Sequence, residues 1–202
     1  MSQSELFSLA EIGAFTGVSV KAVYKLIEQR LPAGFVIRRK QRPLLTRWGA
    51  LCVVLDREMP REVPVAIRRQ VYAQVRGATP RAIKCKHGIM HYVVDVKAAA
   101  DRMDADLAKY RNSMKLIVED PSIQAGAATF KGTRILVHQI TDLIAQGATE
   151  AELREDYPRL TREMMAAAAV YAKSHPRRGR PRKPVWQRNE PLSTRAIARR
   201  GA

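Results

Sequence analysis

The sequence predicts a mainly α-helical protein with short β-hairpins, and three observations lead to this fold class. Apolar side chains recur every three to four residues along much of the chain, which is the spacing of one helix face. Short runs on either side of turn residues predict hairpins, at residues 35–40 with 44–45 and at 82–86 with 89–94. Four prolines and few apolar residues in 176–202 predict a basic tail that is disordered on its own.

Charge is the most unusual property of the composition. The chain has 202 residues and a formal net charge of +17, while its apolar fraction of 46% is ordinary. Such an excess indicates a polyanionic partner: nucleic acid first, an acidic protein second, an anionic membrane third. We expect no membrane span, because no apolar run reaches the ~18 residues required, and the N-terminus lacks the features of a signal peptide. Cys52 and Cys85 alone give no disulfide framework, which is typical of a reducing cytoplasm.

The first 62 residues predict two helices, a tight turn and a basic hairpin. Ser8 with Glu11 forms a capping box for the first helix, and Ser19 is the N-cap of the second, which runs from Val20 to about Arg30. A further helix follows from Trp48 to about Met59. Helix, turn, helix and hairpin is the order of a winged helix-turn-helix. The phrase S-L-A-E-I-G-A-F-T-G-V-S-V-K-A-V-Y-K-L-I is similar to the DNA-binding domain of MerR-type regulators.

This resemblance implies a DNA-binding surface on the second helix and the hairpin. The N-terminal residues of such a helix contact base edges in the major groove, and hairpin cations hold phosphates. The outward helix positions are Ser19, Lys21, Tyr24 and Lys25, and the hairpin cations are Arg38, Arg39, Lys40 and Arg42. The alternative is a solvated basic face on a helical packing domain.

Residues 63–114 carry no motif that indicates a ligand. They predict a helix over 65–75, a hairpin, and a helix from Asp95 to about Tyr110, and we interpret them as a connecting or dimerisation module. Cys85, His87 and His91 lie close together but match no zinc-finger spacing, so we expect no metal and no cofactor. A nucleophile beside a base, a phosphate-binding loop and paired acids are not found in the sequence, so we expect no enzyme.

Residues 115–175 contain four recognisable phrases in order: D-P-x-I, G-T-R-I, G-A-T-E-x-E-L and D-Y-P-R-L-T. Together they resemble a small helix-turn-helix family of unknown function that is associated with VapB-type antitoxins. That family usually has G-G-x-P before G-T-R-I, whereas this chain has Gly126-Ala127-Ala128-Thr129. The resemblance implies a trihelical domain of a bacterial type II toxin–antitoxin protein, which represses its own operon.

Within this C-terminal domain, spacing predicts which residues pack. Ile140, Leu143 and Ile144 form one apolar face, which Leu153 and Leu160 cover. The last helix, from Thr161 to about Ser174, is rich in alanine. Small side chains allow another helix to approach closely, so we expect a dimer or domain interface there rather than a groove-reading helix.

The tail offers two interpretations beside a merely solvated one. Its Arg-Gly-Arg-Pro core resembles an AT-hook, which places arginines in a narrow minor groove. The antitoxin resemblance instead implies that the tail inhibits a PIN-domain ribonuclease toxin, with arginines paired to its metal-binding carboxylates. The expected toxin-binding residues are Arg177, Arg178, Arg180, Arg182, Lys183, Trp186, Arg188, Leu192 and Arg195.

We therefore expect a cytoplasmic antitoxin, located at the nucleoid when bound to operator DNA, that forms a homodimer. Its predicted parts are a DNA-binding domain at 1–62, the module at 63–114, the trihelical domain at 115–175 and the tail at 176–202. The alternative is a stand-alone transcriptional regulator with an AT-hook-like tail and no toxin. An RNA-associated protein would also fit the charge, but an aromatic content of 6% argues against base-stacking platforms.

Overall fold

The computed structural model describes residues 5–40, 42–75 and 79–177. In these ranges the protein is rich in helix, with three small antiparallel sheets. The predicted fold class is confirmed at this level: helices dominate and the strands form short hairpins and ribbons. Within the same ranges, every helix is too short or too polar to cross a bilayer.

The first two helices form where their caps predict. Helix α1 (Leu9–Thr16) begins with both hydrogen bonds of the Ser8–Glu11 capping box, and α2 (Val20–Gln29) begins where the Ser19 side chain accepts from the amide of Ala22. Gly17 ends α1 with a φ of 74°, which a residue without Cβ adopts readily. Only three residues, 17–19, therefore separate the two helices.

A three-stranded antiparallel sheet follows the helix pair. Its order is β1 (Leu6–Ser8), β3 (Arg42–Thr46) and β2 (Val36–Arg39). The sequence did not predict β1. The turn predicted between residues 40 and 44 was too long, because Arg42 and Pro43 already belong to β3. Phe35 and Leu45, both almost fully buried, fix this sheet to the core that also holds Val23.

The middle of the chain matches its predicted elements closely. Helix α3 (Arg47–Glu58) and helix α4 (Val65–Gln74) precede the strands β4 (Ala82–His87) and β5 (Met90–Asp95). Helix α5 (Val96–Met114) is one turn longer than predicted. The core runs without a break from Phe7 on β1 to Tyr110 on α5, so residues 62 and 63 do not separate two cores.

The C-terminal part has its own, smaller core. Strands β6 (Ile117–Val118) and β7 (Thr129–Phe130) pair, and α6 (Val137–Ala145), α7 (Glu150–Asp156) and α8 (Arg162–Ser174) follow. This core contains Ile140, Leu153 and Leu160, as predicted, together with Phe130. The prediction for Ile144 was wrong: its side chain is 40% exposed, because the covering residues lie on the side of Ile140.

The alanine-rich helix α8 connects the two parts of the molecule. It packs against α6 on one side and against α1 and α5 on the other. Ala167 and Ala168 are fully buried, whereas Ala166 and Ala169 are exposed. The interface predicted from the small side chains of this helix is therefore a contact within the chain. This contact covers part of the apolar surface that was the reason to expect a homodimer.

Candidate nucleic-acid interface

Helix α2 presents a polar face outward because its apolar residues point the other way. Val23 and Leu26 are buried, while Lys21, Tyr24 and Lys25 are exposed, with Tyr24 at 45%. Ser19 is also exposed, but its oxygen accepts from the Ala22 amide at 3.2 Å and so caps the helix. This cap gives Ser19 a structural role. Its hydroxyl proton remains available to donate a further hydrogen bond.

The C-terminal ends of α1 and α2 are both fixed by contacts with other parts of the fold. Arg57 of α3 donates to the carbonyl of Thr16 at the end of α1. Arg30, directly after α2, donates to Asp56 of α3 at 2.9 Å, and Arg69 of α4 donates to the carbonyl of Gln29 at 2.6 Å. The outward face of α2 is thus held in a defined orientation by α3 and α4.

Asp56 is the centre of this attachment. Its Oδ1 accepts from Arg30 and Arg68, each at 2.9 Å, and from the hydroxyl of Tyr72 at 2.6 Å. Arg68 is almost fully buried, and it also donates to backbone carbonyls of the segment between α3 and α4. Burial first, and then the hydrogen bond to Asp56, raise the pKa of the Tyr72 phenol, so the hydroxyl keeps its proton as the donor.

The basic hairpin extends from the same core. Arg38, Arg39, Lys40 and Arg42 are all exposed, while Leu45 on β3 is buried. Arg39 lies opposite Arg42 in the register of β2 and β3, and Lys40 has a φ of 46° at the start of the turn. Arg38, Arg39, Lys40 and Arg42 therefore lie close together at the turn end of the hairpin.

The cations of α2 and of this hairpin have no carboxylate partner among the described residues. Several other arginine and lysine side chains do pair with carboxylates, as in Arg102–Glu58, Arg154–Glu150 and Lys97–Asp101. Among the ion pairs between described residues, none involves the six basic residues at Lys21, Lys25, Arg38, Arg39, Lys40 and Arg42. Their charge is left for a ligand or for solvent.

The predicted toxin-binding set lies mostly beyond the part of the chain that the structure describes. Arg177 is described: it is exposed and donates to Asp142 of α6 at 2.8 Å. The others fall outside the described residues: Arg178, Arg180, Arg182, Lys183, Trp186, Arg188, Leu192 and Arg195.

The residues nearest to a metal set do not converge. Cys85 of β4 is buried and lies opposite Tyr92, whereas Lys86 lies opposite His91. Because successive strand residues point to opposite faces, His91 faces away from Cys85 although the turn is regular. In the described ranges, no group of three histidine, cysteine or acidic residues is arranged to hold a metal ion.

Two sets of charged residues outside the predicted site were not singled out in the sequence. Asp56 and Arg68 lie on predicted helices, but only the fold brings them to the end of α2. The hairpin over 82–94 was predicted as part of a connecting or dimerisation module, although residues 79–94 contain no acid beside Arg81, Lys84 and Lys86. That local absence of acidic residues was the available signal.

Comparison with known proteins places the best-defined likeness in the C-terminal part. Residues 117–172 match the model of a family described as "Protein of unknown function (DUF433)". The chain is also 26% identical, over 195 residues, to the "Uncharacterized protein y4eO" of Sinorhizobium fredii (strain NBRC 101917 / NGR234), which covers 89% of this chain and 86% of that relative. No solved structure matches the chain.

Proposed function

We propose that this protein is a DNA-binding antitoxin of a bacterial type II toxin–antitoxin system, which represses its own operon and inhibits a PIN-domain ribonuclease. The observation that carries the DNA-binding part is the set of six exposed cations on α2 and the hairpin that have no carboxylate partner among the described residues. Duplex DNA supplies a regular array of anions that such a set fits.

The order of elements supports a winged helix-turn-helix. In such domains the second helix enters the major groove, which admits one α-helix, and the hairpin tracks the adjacent backbone. Lys21 and Tyr24 lie in the N-terminal half of α2, the part that contacts base edges in such domains, and Lys25 directly follows. Arg38, Arg39, Lys40 and Arg42 are then phosphate contacts, which position the protein without reading the sequence.

The antitoxin part rests on the C-terminal resemblance and on the tail. The family match covers the residues that carry the antitoxin-like phrases, and residues 175–202 hold eight arginines and one lysine against one glutamate. A carboxylate-rich nuclease site complements that charge. Neutralisation would take place in the cytoplasm, with the complex at the nucleoid when bound to its operator.

Footprinting on the DNA upstream of the protein's own gene tests the DNA-binding part. Replacing Lys21 and Lys25 with alanine should reduce the preference for the protected site, whereas replacing Arg38, Arg39 and Lys40 should weaken binding to all sequences and lower the salt slope by about 3. The matched control replaces Lys109 and Lys173, exposed on other helices. Absence of a protected site, with and without the toxin, would refute autoregulation.

Truncation after Ser174 tests the role of the tail. The truncated protein should fail to neutralise the ribonuclease encoded beside it, while its footprint stays largely unchanged, because α8 ends at Ser174. Rescue of toxin-expressing cells by the truncated protein would show that the tail is not the inhibitor.

The alternative is a stand-alone regulator whose tail binds A·T-rich minor grooves. The Arg-Gly-Arg-Pro sequence at 178–181 favours it, because extended arginines fit a narrow minor groove. A sharp loss of A·T-rich binding in the truncated protein, with no co-purifying nuclease from the native operon, would select this function.

A further inference from the structure

The β4–β5 ribbon has two chemically different faces. Its inner face packs on the core through Ile83 and Cys85, with Tyr92 and Val94 half-buried beside them. Its outer face carries Lys84, Lys86, His91 and Val93, all exposed, with Val93 at 67%. The register places Lys84 opposite Val93 and Lys86 opposite His91, so positive charge runs along one strand of the outer face.

The tip of the ribbon is apolar and projects into solvent. His87 lies opposite Met90, so a two-residue turn of Gly88 and Ile89 joins the strands. Gly88 has a φ of 60°, the conformation that a hairpin turn with glycine first requires. The Ile89 side chain is 92% exposed and Met90 is 57% exposed. An isoleucine side chain with this exposure contributes almost no hydrophobic stabilisation to its own fold.

The two strands carry cations and no acid between residues 82 and 94. These cations are Lys84 and Lys86, and no ion pair between described residues involves either of them. A symmetric contact between two copies of this face would bring lysines together, which is unfavourable. A polyanion is the complementary occupant.

The ribbon is also connected to the proposed DNA-binding helix. Strand β4 packs on α4, and Arg69 of α4 holds the carbonyl of Gln29 at the end of α2. Each strand has six residues, which at ~3.3 Å per residue makes a ribbon about 20 Å long. The ribbon and α2 pack on the same core, which contains Ile83 and Val23, so both can belong to one DNA-binding surface.

We propose that the β4–β5 ribbon is a second duplex-DNA contact, in which Lys84 and Lys86 hold phosphates and Ile89 is an apolar wedge that inserts between base pairs and bends the site. Isoleucine and methionine are among the side chains that unstack base steps in this way, and they bend the duplex by ~20–90°. This inference rests on the proposed DNA binding and adds a bend that α2 and the basic hairpin do not require.

Energy transfer between dyes at the two ends of a duplex that carries the footprinted site measures the bend. The wild-type full-length protein should bring the ends closer, and Ile89→Ser should abolish the bend while the footprint of α2 remains. The double variant Lys84→Ala/Lys86→Ala should lower the salt slope of binding by about 2. The matched controls are Val65→Ser, an exposed apolar residue on α4, and Lys109→Ala on α5.

Three results would overturn the inference, and they are separable from failure of DNA binding itself. An unbent site under the wild-type protein excludes the wedge. Ribbon variants equal to the wild type, while Lys21 and Lys25 variants lose specificity, remove the ribbon and leave the proposed function intact. Conversion of a dimer to a monomer by Ile89→Ser would assign the tip to a contact between copies. Absence of any duplex binding would refute both proposals together.

Discussion

Asp56 lies on α3, and its Oδ1 accepts three hydrogen bonds from two other segments. Arg30 comes from the end of α2, and Arg68 and Tyr72 come from α4. Because Arg68 is almost fully buried, its positive charge is compensated by this carboxylate and by nearby backbone carbonyls rather than by water. The orientation of α2 therefore depends on a residue that lies outside the proposed interface.

Replacing Asp56 with alanine should destabilise the protein by roughly 3 kcal/mol, since it leaves a buried arginine without its counter-ion. Urea unfolding followed by circular dichroism measures the change. Asp101→Ala is the control: Asp101 belongs to an exposed pair with Lys97, and such pairs contribute at most about 1 kcal/mol. Equal effects of the two substitutions would show that the cluster is not coupled to folding.

His138 should give stability a dependence on pH. Burial, and then the charge of Arg177, lower its pKa below the ordinary value of 6.5. The unfolded chain therefore binds the proton more readily than the native state, so stability rises with pH between the lowered pKa and the ordinary one and falls on acidification. The urea midpoint should drop between about pH 7.5 and pH 5.5.

His138→Phe should flatten this dependence, because the ring still contacts Tyr171, which lies edge-on at 5.5 Å, but no longer titrates. His87→Gln, at an exposed position, is the control and should keep the wild-type profile. An unchanged pH profile in His138→Phe would assign the dependence to other groups.

At the scale of elements, capping residues close in sequence predicted where helices begin. The existence of β1 and the exposure of Ile144 depended on contacts between residues far apart in the chain. Ser8, Ser19 and Asp95 all cap helices through hydrogen bonds that span three residues, so the sequence alone reveals them. Strand β1 has three residues and exists through its pairing with β3, which local sequence does not encode. Ile144 has the spacing of a core residue, yet the placement of α7 and α8 leaves it exposed.

The candidate interface follows the same division. The exposed positions on α2 and the basic hairpin were predicted from helical spacing and charge, and the structure places these cations on the surface. The attachment of α2 through Asp56 was not predictable, because it joins residues 26 positions apart in the chain. The wedge at Ile89 needed the register that puts a two-residue turn at the tip.

Two adjacent alanines of α8 provide a matched test of its packing. Ala168→Glu should destabilise the protein by about 3 kcal/mol or more, because it buries an unpaired charge between helices. Ala169→Glu should change stability by no more than about 0.5 kcal/mol, since Ala169 is exposed. Thermal unfolding of both variants gives the comparison, and similar small effects would contradict the packing of α8.

At the scale of the whole molecule, we still expect a homodimer, although the alanine surface supports it less than the sequence suggested. Helix-turn-helix dimers match two half-sites of an operator. Exposed apolar residues remain on several elements, among them Val20, Ile37, Val65 and Ile144. Light scattering at micromolar concentration should give twice the chain mass, both free and with DNA, and a monomer mass in both states would contradict this.

The packing of α8 against α1 has a thermodynamic consequence. Helix α1 precedes the proposed groove-binding helix, and α8 ends at Ser174, two residues before the tail begins at residue 176. A ligand of the tail that favours one position of α8 would change the affinity for DNA, and DNA would change the affinity for that ligand by the same factor. Calorimetric titration of each ligand, with and without the other, would show two equal ratios. The effect of the toxin on operator binding and the effect of the operator on toxin binding would then report the same coupling free energy.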